Sequence, residues 1–156
     1  MGSDYNIWVL TVASGELRQL TKEPSEDSMP SWSPDDQEIA FASTREQGRS
    51  IWAVTVADGS QRTVSTAEGT ADAPSWAPGG QIVYHVTAGG TSRLEVDGRV
   101  LTGAENAFPF RVSWASPTEF VYVSDGRIRR RAVAGAQTSL GAVAQLVNAT
   151  LGGVAR

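Results

Sequence analysis

The chain has 156 residues, 40% of them hydrophobic and 19% charged, with a formal net charge of −4, which fits one globular domain or a part of one. The acidic balance opposes a nucleic-acid or anionic-lipid partner spread over the whole surface. The lack of cysteine excludes disulfides, thiolate chemistry and sulfur-ligated zinc, and no stretch reaches the roughly 18 apolar residues of a membrane span.

In chain order, "MGSDYNIW" shows no basic-then-apolar leader pattern and enters an apolar run almost at once. It reads as a chain cut from something longer, with "MGS" a vector-derived remnant. Residues 5–21, "YNIWVLTVASGELRQLT", give two strand candidates around a turn. Residues 28–44, "SMPSWSPDDQEIAFAST", place a strand at Trp32, then a Pro/Asp turn, then a short apolar strand. Residues 49–65, "RSIWAVTVADGSQRTVS", alternate as a half-buried strand should; "ADGS" predicts a two-residue hairpin into a closing strand.

These two elements recur in alternation. "DAPSWAPGGQIVYHVT" (72–87) and "FRVSWASPTEFVYVSDG" (110–126) repeat the first; "SRLEVDGRVLT" (92–102) repeats the second, and "GRIRRRAVAGAQTSL" (126–140) is a degenerate further copy. Trp32, Trp76 and Trp114 are 44 and 38 residues apart, while Ile7, Ile51 and Leu94 are 44 and 43 apart. Four short strands per period of about 40 residues is the signature of a β-propeller blade. The expected fold is therefore all-β: a partial β-propeller of about three to four four-stranded blades over residues 1–141, the first blade incomplete. Residues 142–156 form an Ala/Gly-rich tail or the start of a missing blade. A blade cannot bury both faces alone, so one large aromatic per blade is expected between sheets. Trp32, Trp76 and Trp114 are the predicted blade core, each worth at most roughly 4–6 kcal/mol of buried area.

The stretch "PSWSPDDQEIAFAS…SIWAVTVADGSQRTVS" resembles the TolB-type propeller repeat: a Pro-x-Trp-Ser-Pro-Asp-Gly turn, an Ile-Ala-Phe strand, an Ile-Tyr/Trp-Val strand and a terminal Leu-Thr, which Thr21 supplies in "LRQLT". The turn departs from that pattern at Asp36, Gly79 and Thr118. The resemblance implies partners of the Tol–Pal envelope system, or the propeller part of a tricorn-like protease, a prolyl oligopeptidase or an amidohydrolase-fused protein. "FPFRVSWASPTEFVYVSDGRIRRRAV" is most similar to the amidohydrolase-fused group. It also implies a periplasmic or secreted location. Complete propellers of this kind have six or seven blades, so the chain is expected to be a fragment of a larger propeller. Pairing with a second copy to close a ring and an open, aggregation-prone stack are the alternatives.

Little in the residues points to catalysis. No Gly-x-Ser-x-Gly elbow occurs, and one histidine without cysteine cannot assemble a His-rich metal site. His85 reads as a satisfied, partly exposed strand residue. Glu26, Asp27 and Asp72 precede first strands, with Arg111 in a related place; together they are expected at a channel mouth, where acids could hold a cation or a basic partner. Arg127, Arg129 and Arg131 should share one face of a strand while Arg130 joins Ile128 on the other, as edge protection or a domain contact. "NAT" at Asn148 matches a glycosylation sequon by letter only. No catalytic residue, metal or cofactor is expected. The leading expectation is a non-catalytic scaffold that presents loops to a partner protein or to a catalytic domain of the parent chain. The alternative is the propeller part of an amidohydrolase or peptidase. A weaker third is a sugar or small-ligand binder at the channel mouth.

Overall fold

The computed structural model describes residues 5–46, 48–65, 68–103, 105–134 and 137–142. Among these every regular element is a strand. A two-stranded sheet, β1 (Trp8–Thr11) and β2 (Glu16–Gln19), comes first. Three antiparallel four-stranded sheets follow, each in sequence order: β3 (Asp27–Trp32) to β6 (Gln61–Thr63) through β4 (Glu38–Glu46) and β5 (Gly48–Thr55); β7 (Thr70–Trp76) to β10 (Arg99–Val100) through β8 (Ile82–Ala88) and β9 (Thr91–Val96); and β11 (Ser113–Trp114) to β14 (Gln137–Ala142) through β12 (Glu119–Ser124) and β13 (Arg127–Ala132). We call them the half blade and blades 2, 3 and 4. The fold is the expected partial propeller. Residues 143–156, including Asn148, lie outside the described residues.

One hydrogen bond recurs in three sheets and explains the terminal Leu-Thr. The backbone N–H groups of Ile7, Ile51 and Leu94 donate to Thr21 Oγ1, Ser65 Oγ and Thr102 Oγ1 at 2.9, 2.8 and 2.8 Å. Each hydroxyl is buried and satisfies a strand N–H that would otherwise lack a partner. The closing strand thus ends with a bond that pins it to its neighbour.

Turn chemistry follows the residues. Asp97-Gly98 and Asp125-Gly126 are two-residue hairpins with positive φ at every position, 46° to 80°. "ADGS" differs from expectation. Five residues separate Thr55 from Gln61, and the Gly59 N–H reaches back to the Thr55 carbonyl at 2.9 Å. A helical turn closed by left-handed Gly59 makes this loop, so its Asp-Gly is not a two-residue turn. In the "SPDD" turn Ser33 Oγ accepts from Gln37 and Glu38 N–H and donates to Asp35, which lets Asp36 hold a φ of 59°.

Blades stack through three apolar clusters. Ile7 and Leu20 of the half blade meet Ile39, Phe41 and Val54 of blade 2. Ala40, Ala42 and Ile51 meet Ile82, Tyr84 and Val86 of blade 3. Val83, Leu94 and Val96 meet Phe120 and Tyr122 of blade 4. The predicted tryptophans need one correction. Trp76 and Trp114 are half-buried against the second and third clusters; Trp114 meets Phe120 edge-on at 5.4 Å. Trp32 is 45% exposed and is no core residue. The reason is the neighbour. Trp114 Nε1 donates to Ser75 on the first strand of blade 3, and the Trp76 backbone N–H donates to Ser31 Oγ on the first strand of blade 2, in each case the preceding blade. Among the described residues the half blade has no first strand for Trp32 to meet.

Candidate functional site

First strands β3, β7 and β11 converge on one axis. Ser75 Oγ donates to the Val112 carbonyl of blade 4, and Arg111 Nη2 reaches past blade 3 to the Pro30 carbonyl of blade 2 at 2.6 Å. A side chain can skip a blade only near the centre. The site is therefore built from the starts of these strands and the connectors that lead into them.

Two of the strands carry the same irregularity. Pairing slips between Ser28 and Ser31 and between Asp72 and Ser75. The bulged residues Met29 and Ala73 hold φ of 54° and 51°, each before a proline that cannot donate to the ladder. Positive φ on a non-glycine residue costs of order 1–3 kcal/mol, so the surrounding sheet must impose it.

The bulges decide what the flanking carboxylates do. Asp27 is buried, and its carboxylate accepts from Ser25 Oγ (2.9 Å), Ser43 Oγ (2.6 Å) and Arg45 Nη2 (2.8 Å). Arg45 also lies over the rings of Phe41 and Trp52, at 5.3 and 4.6 Å from their centroids. Nearby Glu23 feels burial pushing its pKa up, but the Lys22 N–H and the Arg45 charge hold it below the usual carboxylate range. Asp27 is thus an internal anchor, which corrects its expected place at a mouth. Asp72 pairs with Arg49 Nε at 3.2 Å and caps the Ala73 N–H at 2.9 Å. Glu26 is exposed, and its backbone N–H donates to Thr44 Oγ1 of β4. The predicted residues therefore form no ring of acids. Burial holds the Arg111 guanidinium below its ordinary range.

His85 is 2% exposed, with Nε2 2.9 Å from the Ala107 carbonyl; it is buried, not partly exposed. The arginine strand β13 lies between β12 and β14, so it guards no edge. Its side chains form ion pairs inside blade 4. Arg129 Nε and Arg131 Nη1 stand 3.1 and 3.5 Å from Glu105, and Arg130 pairs with Glu119. Glu105 also accepts from Tyr122 Oη (2.8 Å) and Ser124 Oγ (3.0 Å). Burial, then the hydrogen bond to Glu105 and its charge, pushes the Tyr122 hydroxyl up to about 12. Among the described residues no three His, Cys, Asp or Glu side chains could share a metal, and no helix is long and apolar enough to cross a membrane.

The residues that sequence reasoning passed over are Glu105, Phe108 and Phe110. On the connector into β11, the two phenylalanines stack with centroids 6.3 Å apart and planes 10° from parallel, yet they are 46% and 68% exposed. The loop that carries them is fixed by bonds from Phe108 N–H to the Val123 carbonyl and from Phe110 N–H to the Phe108 carbonyl. Two phenylalanines flanking a proline, just before a first strand, were the available signal.

Residues 1–116 match the TolB beta propeller domain family. The chain belongs to it. Similar solved structures include TolB from Acinetobacter baumannii (18% identity, TM-score 0.66, 86% of this chain and 37% of that one) and a putative TolB from Agrobacterium tumefaciens (22%, 0.66, 86% and 56%). A puromycin hydrolase is also similar (16%, 0.68, 81% and 22%). These likenesses concern fold, and the chain spans between 22% and 56% of those proteins. No curated protein sequence matches the chain. In this TolB-family chain the exposed aromatic pair lies beside Arg111 on the connector that leads into β11.

Proposed function

We propose that this TolB-family segment is a non-catalytic scaffold, part of a larger propeller, that offers its connector side to a protein partner. The observation that carries the reading is the exposed Phe108–Phe110 stack next to Arg111. Aromatic rings and arginine dominate protein–protein contact energy, and a rigid loop loses little entropy on binding. The buried carboxylates nearby support the same reading, since arginines and hydroxyls already engage them. By resemblance the location is periplasmic or secreted, and a Pal-type envelope protein is the first partner to try. In calorimetric titration with such a protein, a Phe108→Ala/Phe110→Ala double variant should weaken Kd at least about tenfold, or 1.4 kcal/mol. An unchanged Kd, or no binding by the parent chain, would count against the proposal.

The likeness in fold to a puromycin hydrolase favours a second reading. In it the blades belong to an amidohydrolase or peptidase and guide substrate toward a catalytic domain of the parent chain. Sequencing the gene beyond the codon for Arg156 tests this. A His-x-His metal segment or a serine-hydrolase elbow supports it; an envelope propeller with no catalytic domain refutes it.

A further inference from the structure

We propose that the groove between the turns that follow the first strands of blades 2 and 3 takes an arginine side chain of a polypeptide partner. These turns lie at the opposite ends of the first strands from the connectors, so the inference is independent of the partner proposed for Phe108 and Phe110.

The groove has a volume of about 430 Å³, and both its walls are inside the chain. One wall is the turn after β3, Ser33 to Gln37; the other is the turn after β7, Ala77 to Gln81. Glycine keeps it open. Between blades 3 and 4 the corresponding turns touch, and a Cβ on Gly79 would stand 2.7 Å from the Pro117 carbonyl oxygen. A Cβ on Gly80 would meet no atom within 4 Å. Blade 3 thus offers bare backbone to the groove where blade 4 presents Pro117 and Thr118.

The closing-strand arginines also separate the two junctions. Arg62 pairs with Ala53 as Arg99 pairs with Val96, each two residues past the recurring hydroxyl bond at Ile51 or Leu94. Arg99 Nη2 crosses to the Val133 carbonyl of blade 4 at 3.0 Å. Arg62 turns back onto its own blade, where Nε and Nη2 donate to the two Glu38 oxygens at 3.1 and 2.9 Å.

The lining selects the ligand. Trp76 packs on the cluster between blades 2 and 3, and its Nε1 donates to the Gly80 carbonyl at 3.1 Å. That bond fixes the ring and satisfies its polar edge, so the ring offers carbon surface to the groove. Pro34 and Pro78, both exposed, extend this surface from either wall. The charge left over in the lining is negative. Glu38 and Arg62 neutralise each other. Asp35 Oδ1 accepts from Ser33 Oγ at 2.6 Å and from the Gln37 N–H at 3.2 Å, and among the described residues no donor reaches Oδ2. The Ser33 bond, then the Gln37 bond, hold this carboxyl below the usual carboxylate range, so it is ionised at neutral pH. A guanidinium on an apolar stem suits indole, proline and carboxylate together, because its plane lies on a ring while its N–H groups reach an acid. A neutral sugar stacks on an indole but gains nothing from the charge.

The test titrates acetyl-arginine methylamide at low salt into the isotope-labelled full chain, following the Trp76 indole N–H by nuclear magnetic resonance. The signal should shift saturably. The citrulline analogue, alike in shape but uncharged, should bind at least about tenfold more weakly. Asp35→Asn keeps the Oδ1 acceptor of the turn and should weaken the arginine probe at least about fivefold. Glu16→Gln, which removes an exposed acid from the half blade, should leave it unchanged. No saturable shift, equal affinity for the citrulline probe, or equal losses in Asp35→Asn and Glu16→Gln would overturn the proposal. Preference for methyl glucoside over the arginine probe would assign the groove to a sugar and overturn it as well. Phe108→Ala/Phe110→Ala leaves this titration unchanged, so the two proposals fail separately.

Discussion

The half blade and blade 2 carry nearly the same residues at the same repeat positions, yet their fates differ. Val54 is fully buried, whereas Leu10, its counterpart 44 residues earlier, is 56% exposed. The first strand of blade 2 stands beside Trp76, which is half-buried, while its copy Trp32, with no such strand beside it among the described residues, is 45% exposed. In a stack of sheets, burial belongs to the neighbour as much as to the residue. The same letter is core in one blade and surface in the next.

The largest effects should come where both neighbours are present. Phe41→Ala and Phe120→Ala, each at a fully buried position between two sheets, should cost about 3–5 kcal/mol in denaturant titration. Asp27→Ala should also cost about 3 kcal/mol or more, because it strips Arg45 of its buried partner. A cost below about 1 kcal/mol would return Asp27 to the solvent-facing role first expected of it.

The Tyr122 hydroxyl tests the interface between blades 3 and 4 by pH. Its folded-state pKa of about 12 lies above the unfolded value near 10, so folding favours the neutral form. That contribution is complete below pH 10 and is lost as pH rises toward 12, by roughly 2–3 kcal/mol. Tyr122→Phe should flatten the alkaline fall measured by denaturation at successive pH values; an unchanged fall would assign it elsewhere.

Smaller losses sharpen the contrast between interior and end. Thr102→Val leaves the Leu94 N–H buried without an acceptor and should cost about 1–2 kcal/mol. Val54→Ala should cost about 2 kcal/mol, and Leu10→Ala less than about 0.5 in dilute, monomeric samples. Equal losses at these two positions would erase the difference between end and interior.

The four-strand period was legible because Trp, Pro and Asp-Gly recur at fixed spacing, and each has a local cause. The blade order followed directly. What sequence did not show were properties set by partners distant along the chain. Trp32 looked like Trp76 because their flanking residues match; only the missing first strand separates them. Asp27 looked like a neighbour of Glu26 at a mouth, but strand alternation turns it inward onto Ser43 and Arg45. The clue was small hydroxyl residues at 25 and 43. Glu105 went unnoticed because its partners, Tyr122, Arg129 and Arg131, come from a later sheet. The face shared by Arg127, Arg129 and Arg131 was readable from period two, whereas the acid that receives Arg129 and Arg131 was not.

The account stands most directly on one ranking: the stability lost by Trp32→Ala, Trp76→Ala and Trp114→Ala in equilibrium urea unfolding of dilute chain. Neighbour-determined burial predicts a loss under about 1 kcal/mol at Trp32 and about 2–4 kcal/mol at Trp76 and Trp114. Three equal losses, or the greatest loss at Trp32, would contradict it.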